Sequence, residues 1–270
     1  MTALEIPTPS ALSDEVKEFL RQFKDKDGSY KYVEQIDHMY PKGTTYIVVD
    51  YNDLVLSSRI ESKFNENPDE ILDAFARAIK EILQERFPQY AEKVKDNIRA
   101  RIINFPIQRS LRQINAEIIN KMTSVSGMVV RSSEVKPLAK EIIYKCPVGH
   151  KTHMILLKGL NVNTPAKCSD PKCTQREFRI DPESSRFIDF QILRLQELPE
   201  DLPPGQLPHY VDVSIKQDLV DNARPGDRII LTGTVRIEQD QIVSARTTSG
   251  LYRLRIDGNN IEFLGGRGIK

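Results

Sequence analysis

All three cysteines of this 270-residue chain lie in one short stretch, and each sits at metal-ligand spacing. His150 follows Cys146 after three intervening residues, and Cys173 follows Cys168 after four, with seventeen residues between the two pairs. Soft thiolates and an imidazole in two close pairs suit tetrahedral Zn2+, with Zn–S near about 2.3 Å and Zn–N near about 2.0 Å. Pro147 and Gly149 tighten the first pair, and Ser169-Asp170-Pro171 makes a turn that directs thiolates inward. His153 competes for the fourth position, although its spacing from Cys146 is looser and the alternation His153, Ile155, Leu157 reads as one face of a strand. Three thiolates and one imidazole leave no open position for an activated water, so the metal is expected to be structural. Its binding would contribute to folding directly, on the order of 10 kcal/mol in small zinc peptides.

Other chemistry lacks its residues. The chain has no G-x-x-x-x-G-K-[ST], no G-x-S-x-G and no G-x-G-x-x-G, and the glycine-rich end 265–270 reads as a tail or linker. With zinc on all three cysteines no thiol remains as a nucleophile, and Glu200-Asp201 sits among prolines in a polar loop. These absences argue against a self-contained enzyme.

Composition sets the wider limits. Hydrophobic residues make up 39% and charged residues 29%, and no apolar run approaches the roughly 20 residues that span a bilayer. No membrane partner is expected. The first residues show neither a basic segment nor an apolar core, so a reducing compartment is expected and the cysteines are not read as disulfides. Thirty-nine Lys and Arg against 38 Asp and Glu leave a formal net charge of +1, so distribution matters more than total. Lys121, Arg131, Lys136, Lys140, Lys145, Lys151 and Lys158 face only Glu134 and Glu141 in their stretch, a local positive face suited to phosphates.

The elements that must hold these residues change character along the chain. Ser13 reads as an N-cap, with Val16, Phe19, Leu20 and Phe23 on one helical stripe. Asn67 reads as a second cap, with Pro68 at the first helical position and Ile71, Leu72, Phe75, Ile79, Ile82 and Leu83 as the stripe, ended by Phe87-Pro88. A short β-like run at Tyr46–Val49 precedes a turn at Asp50-Tyr51-Asn52-Asp53. From about Leu111, strands are expected at Ser126–Ser132, Ala139–Tyr144, Phe187–Gln196, Tyr210–Lys216, Arg228–Glu238 and Leu251–Phe263. The phase of apolar residues slips near Ile192-Leu193, which predicts a bulge there that re-aims Arg194. About five strands with long insertions fit an OB-type barrel, a fold that handles oligonucleotides on a strand face and its loops.

The strand text is specific: Val125-Ser126-Gly127-Met128-Val129-Val130-Arg131, Ser133-Glu134-Val135-Lys136-Pro137, Lys140-Glu141 and Tyr144-Lys145-Cys146. It continues with Leu195-Gln196-Glu197, Pro204-Gly205-Gln206-Leu207-Pro208 and Asp218-Leu219-Val220-Asp221 leading to Pro225-Gly226-Asp227. With this order of elements the chain resembles the N-terminal region of an archaeal minichromosome maintenance (MCM) replicative helicase. The matching blocks span roughly 110–265, and the first hundred residues are similar only in helical style.

The resemblance implies a multidomain α+β and all-β architecture, an N-terminal helical bundle with a zinc-binding β subdomain inserted in an OB-fold β-barrel. The boundaries implied are 1–107 for the helices, 108–138 with 187–265 for the OB domain, 139–186 for the zinc subdomain, and 266–270 for the tail. It implies a homohexameric ring, singly or as a double hexamer, that binds single-stranded DNA and encircles double-stranded DNA during replication. ATP and Mg2+ would belong only to an ATPase motor outside this chain, and other replication proteins would be partners. Localisation would be cytoplasmic on the nucleoid, or nuclear in a eukaryote. Arg131 and Lys136 fall where the family contacts single-stranded DNA, and Arg194 and His209 fall at a second pair, with His209 where Arg is common. An unperturbed His is mostly neutral at pH 7, which weakens that contact. The long hairpin of the family corresponds to roughly 238–251, with Arg246 as the basic residue near its tip. Loop residues Glu197, Gln206 and Pro208 resemble the loop that communicates with the motor, so they are expected to touch a neighbouring module. Such contacts would be mainly to phosphates, because Trp is absent and Tyr210 is the one modest stacking candidate.

Two other classes of protein fit the same residues. A stand-alone zinc and OB RNA-binding protein predicts a monomer that prefers RNA. A structural module whose zinc knuckle joins two rings predicts incidental DNA binding.

Overall fold

The computed structural model describes residues 9–55, 57–94, 97–155, 164–239 and 250–265. The helical part comprises α1 (Pro9–Gln22), α2 (Lys31–Lys42), α3 (Tyr51–Leu54), α4 (Ser58–Glu66), α5 (Pro68–Arg86) and α6 (Pro88–Val94). Strand β1 (Tyr46–Asp50) pairs in parallel with β2 (Arg99–Ile103) inside it. The stripe of α5 is where the sequence puts it: Ile71, Phe75, Ile79, Ile82 and Leu83 are buried in one cluster with Phe64, Ile36 and Leu20. Pro68 opens α5 at a position where its missing N–H costs nothing, and Phe87 closes it.

The cap residues behave differently from expectation. Helix α1 is already running at Pro9, so Ser13 lies inside it, 6% exposed, with its Oγ lacking a partner among the described residues. Asn67 stands at the N-cap of α5, yet its side chain makes no capping bond and instead donates from Nδ2 to Glu70 Oε2 at 3.4 Å. The turn at Asp50–Asp53 is one helical turn, α3, because the Asp50 carboxylate accepts the Asn52 N–H at 2.9 Å and so caps it.

The strands that follow are β3 (Gln108–Arg109), β4 (Met122–Ser132), β5 (Lys136–Lys145), β6 (Lys151–Ile155), β7 (Arg179–Ile180), β8 (Arg186–Gln196), β9 (Tyr210–Lys216), β10 (Arg228–Gln239) and β11 (Tyr252–Phe263). Their pairing runs β4-β10-β11-β9-β8, and β8 pairs again with β4, so five strands form a closed circuit. Val125, Val129, Leu193, Leu195, Val213, Ile215, Leu231 and Ile256 fill a second core inside it. Gly233 sits at the register shift between β10 and β11, where a Cβ would lie 2.6 Å from the Asp257 carbonyl oxygen. Any other residue there would push the two strands apart.

The bulge falls elsewhere than the sequence predicts. Strand β8 pairs with β9 without interruption from Phe190 to Gln196, and the irregularity is on β4, between Val129 and Arg131. The phase slip has another cause. Gln191, Leu193 and Leu195 are buried on one side of β8, while Phe190, next to Gln191 in mid-strand, is buried on the other. Both faces are covered at different places, so periodicity changes without an inserted residue.

Arg101 and Asn259 are among the side chains that join the helical part to the strand circuit. Arg101 on β2, 5% exposed, meets the Asp218 carboxylate and donates to the Asn259 carbonyl at 2.7 Å. Asn259 accepts the Ile102 N–H at 2.8 Å and donates to the Ala100 carbonyl at 2.9 Å, so one amide takes the place of a strand partner along β2.

Candidate metal centre and nucleic-acid interface

Strand β5 is shared between two parts of the sheet. Its first half pairs with β8, from Lys136 opposite Phe190 to Glu141 opposite Arg186, and its second half pairs with β6 and β7. The chain turns at Pro147–Gly149 between β5 and β6, where the Cys146 N–H reaches the His150 carbonyl at 3.1 Å and the Gly149 N–H reaches the Cys146 carbonyl at 2.9 Å. Gly149 has φ +101°, a conformation that favours glycine and makes this tight knuckle possible.

Four side chains converge there. One ligand atom each from Cys146, His150, Cys168 and Cys173 lies within 4.8 Å of the others, a cluster able to hold a metal ion. The Cys146 and Cys173 sulfurs are 3.9 Å apart, and His150 Nδ1 is 3.7 Å from Cys168 Sγ. His150 Nε2 lies 3.4 Å from Asp170 Oδ2, so a carboxylate can fix the tautomer that leaves Nδ1 free to bind metal. Burial opposes ionisation of Cys146, but N–H groups of His150, Val148 and Gly149 and the Cys173 thiol outweigh it and bring its pKa down to about 7. The Gln175 N–H favours the Cys173 thiolate, yet burial and the nearby Cys168 and Cys146 sulfurs leave its pKa raised. His153 stays out of the cluster: its Nδ1 bonds Glu141 Oε1 at 2.9 Å across the β5–β6 pair.

The basic stretch is less free than its sequence implies. Asp181, 7% exposed, takes Lys145 at 2.7 Å and Lys151 at 3.8 Å, so an acid from beyond the stretch neutralises part of it. Lys158 lies outside the described residues.

Register sets the remaining cations. Arg131 on β4 is the cross-strand partner of Arg194 on β8, and Lys136 is opposite Phe190 on the same face of β8. Arg131 and Lys136 are exposed. Arg194 is not free, because Asp212 on β9 takes its guanidinium in a two-point bond of 2.7 and 2.8 Å, which holds it still more firmly charged. His209 is exposed just before β9, with its N–H on Glu197 Oε2 at 3.4 Å, and Tyr210 beside it, opposite Gln196, is 55% exposed. Arg246 and the tip of its hairpin lie outside the described residues, as do residues 266–270.

The loop between β8 and β9 closes on Arg112. Glu197 is only 3% exposed and turns inward to Arg112, which bonds both its oxygens at 2.8 and 3.1 Å. The same guanidinium donates to Gln206 Oε1 at 2.6 Å and to the Leu207 carbonyl at 3.1 Å. Glu197 and Gln206 thus share one cation of their own chain, and a buried carboxylate such as Glu197 needs that pairing. Pro208 stays half-buried and Leu207 is 87% exposed, so the outward element of this loop is apolar. Arg112 was not singled out by the sequence, where a lone Arg in Ser-Leu-Arg-Gln carries no signal of partners 85 residues away.

A closed circuit of five strands, joined to a helical unit and continued into a sheet that carries a cysteine-histidine cluster able to hold a metal ion, defines the class of this protein as OB-containing. Comparison with known proteins gives the family. The description "MCM OB domain" matches residues 110–239 and "MCM N-terminal domain" matches residues 13–104. The chain belongs to the minichromosome maintenance family and carries its N-terminal and OB domains. The match over 13–104 corrects the expectation that the first hundred residues are similar in helical style alone.

The chain is 29% identical over 272 residues to "Minichromosome maintenance protein MCM" of Saccharolobus solfataricus, covering 96% of this chain and 38% of that protein. It is 36% identical over 169 residues to "DNA replication licensing factor MCM4" of Drosophila melanogaster, covering 63% of this chain and 19% of the relative. To the Arabidopsis thaliana protein of the same name it is 31% identical over 260 residues, covering 94% of this chain and 30% of the relative. Archaeal and eukaryotic relatives thus match side by side, and the chain spans between about a fifth and two fifths of their length. This family does not favour the stand-alone RNA-binding reading. Among the described residues no helix is long and apolar enough to cross a membrane.

Proposed function

We propose that this chain is the DNA-binding and ring-assembly region of a replicative helicase, without catalysis of its own. Subunits would assemble into a ring, a hexamer or double hexamer, with single- or double-stranded DNA in its channel and an ATPase motor beyond the chain supplying ATP and Mg2+ chemistry. The observation that carries the reading is the exposed Arg131 and Lys136 on one face of an MCM OB domain, next to Arg194. Repeated by every subunit, they become a circle of positive charge for phosphates, which a near-neutral total charge does not prevent. Asp212 on Arg194 and a histidine at position 209 make the second pair the weaker one.

In this reading Zn2+ is structural and held by Cys146, His150, Cys168 and Cys173. The domain limits follow as 1–107, 108–138 with 187–265, and 139–186. The chromosome is its place of action, in the nucleoid or in a nucleus, with other replication proteins as partners. Light scattering on the zinc-loaded protein, with and without a single strand of about 30 nucleotides, tests it. A mass near six subunits and DNA binding lost on Arg131→Ala with Lys136→Ala supports the reading. A monomer that prefers RNA overturns it.

A further inference from the structure

A cleft of about 450 Å³ opens between the helical unit and the strand circuit, bounded by α5, β2, β10 and β11. Six basic side chains line it against three carboxylates. Strand register places two of them, Arg236 and Arg255, side by side. Arg131, Arg194, Asp212, Arg255 and Arg236 are successive cross-strand partners around the circuit, so one rung carries four guanidinium groups and a single acid. Asp212 is taken by Arg194, and Arg236 is taken by Asp69 and by Asn120 at 2.8 Å. Arg255, between them, is left over. Its side chain is 12% exposed, and among the described residues its Nε and Nη1 have no hydrogen-bond partner and its one acid, Glu238, stands 3.7 Å away.

Arg99 lines the same cleft from β2, and the one hydrogen bond of its guanidinium among the described residues is a long 3.4 Å contact to the Ile98 carbonyl. Burial and the adjacent Arg101 charge press its guanidinium toward the neutral form, although an arginine stays charged at neutral pH. Orphaned donors on a buried cation are costly, and a cluster of them facing one space lowers that cost when an anion fills it.

We infer that this cleft binds an oxyanion of the phosphate class, held by the Arg255 and Arg99 guanidinium groups. The planar fork of arginine suits two oxygens of a phosphate, and the depth of the site strengthens each bond. The inference does not depend on Arg131 and Lys136 touching DNA. The phosphate is either free in solution or part of a nucleic-acid strand, and the two sources are separable by competition.

The test is calorimetric titration of the full zinc-loaded chain with inorganic phosphate and with pyrophosphate, at ionic strength matched by chloride. Saturable binding is expected, weaker by roughly tenfold to hundredfold in Arg99→Gln with Arg255→Gln, and unchanged in Arg131→Ala with Lys136→Ala. Arg255→Lys keeps the charge, removes the fork, and serves where the double variant fails to fold; it is expected to weaken pyrophosphate about tenfold. A thymidine oligonucleotide that displaces pyrophosphate assigns the phosphate to a strand, and simultaneous binding assigns it to a free anion; both support the site. No binding beyond that of chloride, or equal binding by wild type and Arg255→Lys, overturns it.

Discussion

The helical unit and the metal-bearing lobe reach order by opposite means. In the helical unit Tyr32, Phe64, Phe75, Ile36, Met39 and Leu83 are almost wholly buried in one continuous cluster, so packing alone can hold it. Among the described residues between 139 and 186, Ile142, Ile143, Tyr144, Cys146 and Pro165 are buried apolar side chains, and none belongs to either main core. That lobe carries the four-residue cluster able to hold a metal, and Asp181, which gathers Lys145 and Lys151. A short β segment with little buried apolar surface among its described residues gains from a staple, which such a cluster can supply.

Metal removal breaks the comparison most sharply. With a chelator, or in Cys173→Ser, amide exchange in β5–β7 is expected to become fast while α5 stays protected, a loss of order confined to one lobe. Equal deprotection of both regions would contradict the division. The reverse experiment is Phe75→Ala, which leaves a cavity in the helical cluster and is expected to cost about 3 to 5 kcal/mol by denaturant unfolding, with bound zinc per chain unchanged. Next in size, Asp170→Asn keeps all four ligands but loosens the His150 tautomer, and metal competition should show affinity about tenfold weaker.

The smallest effect is acid-sensitive. Arg112, by hydrogen bonds to its carboxylate, holds the Glu197 pKa below the usual value, against burial. A lowered carboxylate pKa contributes stability that is fully present above the unfolded value near about 4.3, and is lost as pH falls through the lower folded value. Protease nicking of the 197–208 loop should therefore rise as pH drops below about 4 in the wild type. In Arg112→Ala the loop should be nicked at all pH values.

The sequence made some of this legible because local rules were enough. Strand β9 has the predicted bounds, and α5 ends at Phe87-Pro88, since alternation and proline chemistry act over a few residues. The metal cluster was readable for the same reason. What stayed hidden depends on distant partners. The parallel strand β2 has no alternation of its own, because Ala100, Arg101 and Ile102 are all buried and Arg101 is satisfied by Asp218 and Asn259. Arg194 looked like a free cation until the fold placed Asp212 beside it, and Arg112 had no visible role until the loop closed on it.

The salt dependence of single-strand binding tests the central claim most directly. The logarithm of the association constant for a single strand of about 30 nucleotides, plotted against the logarithm of salt, should fall steeply, with a slope of about −0.7 per phosphate contact. In Arg131→Ala with Lys136→Ala the slope should become shallower by at least about 1.4 if each subunit of the bound form loses two contacts. The same slope in both proteins would place the phosphate contacts elsewhere and contradict the account.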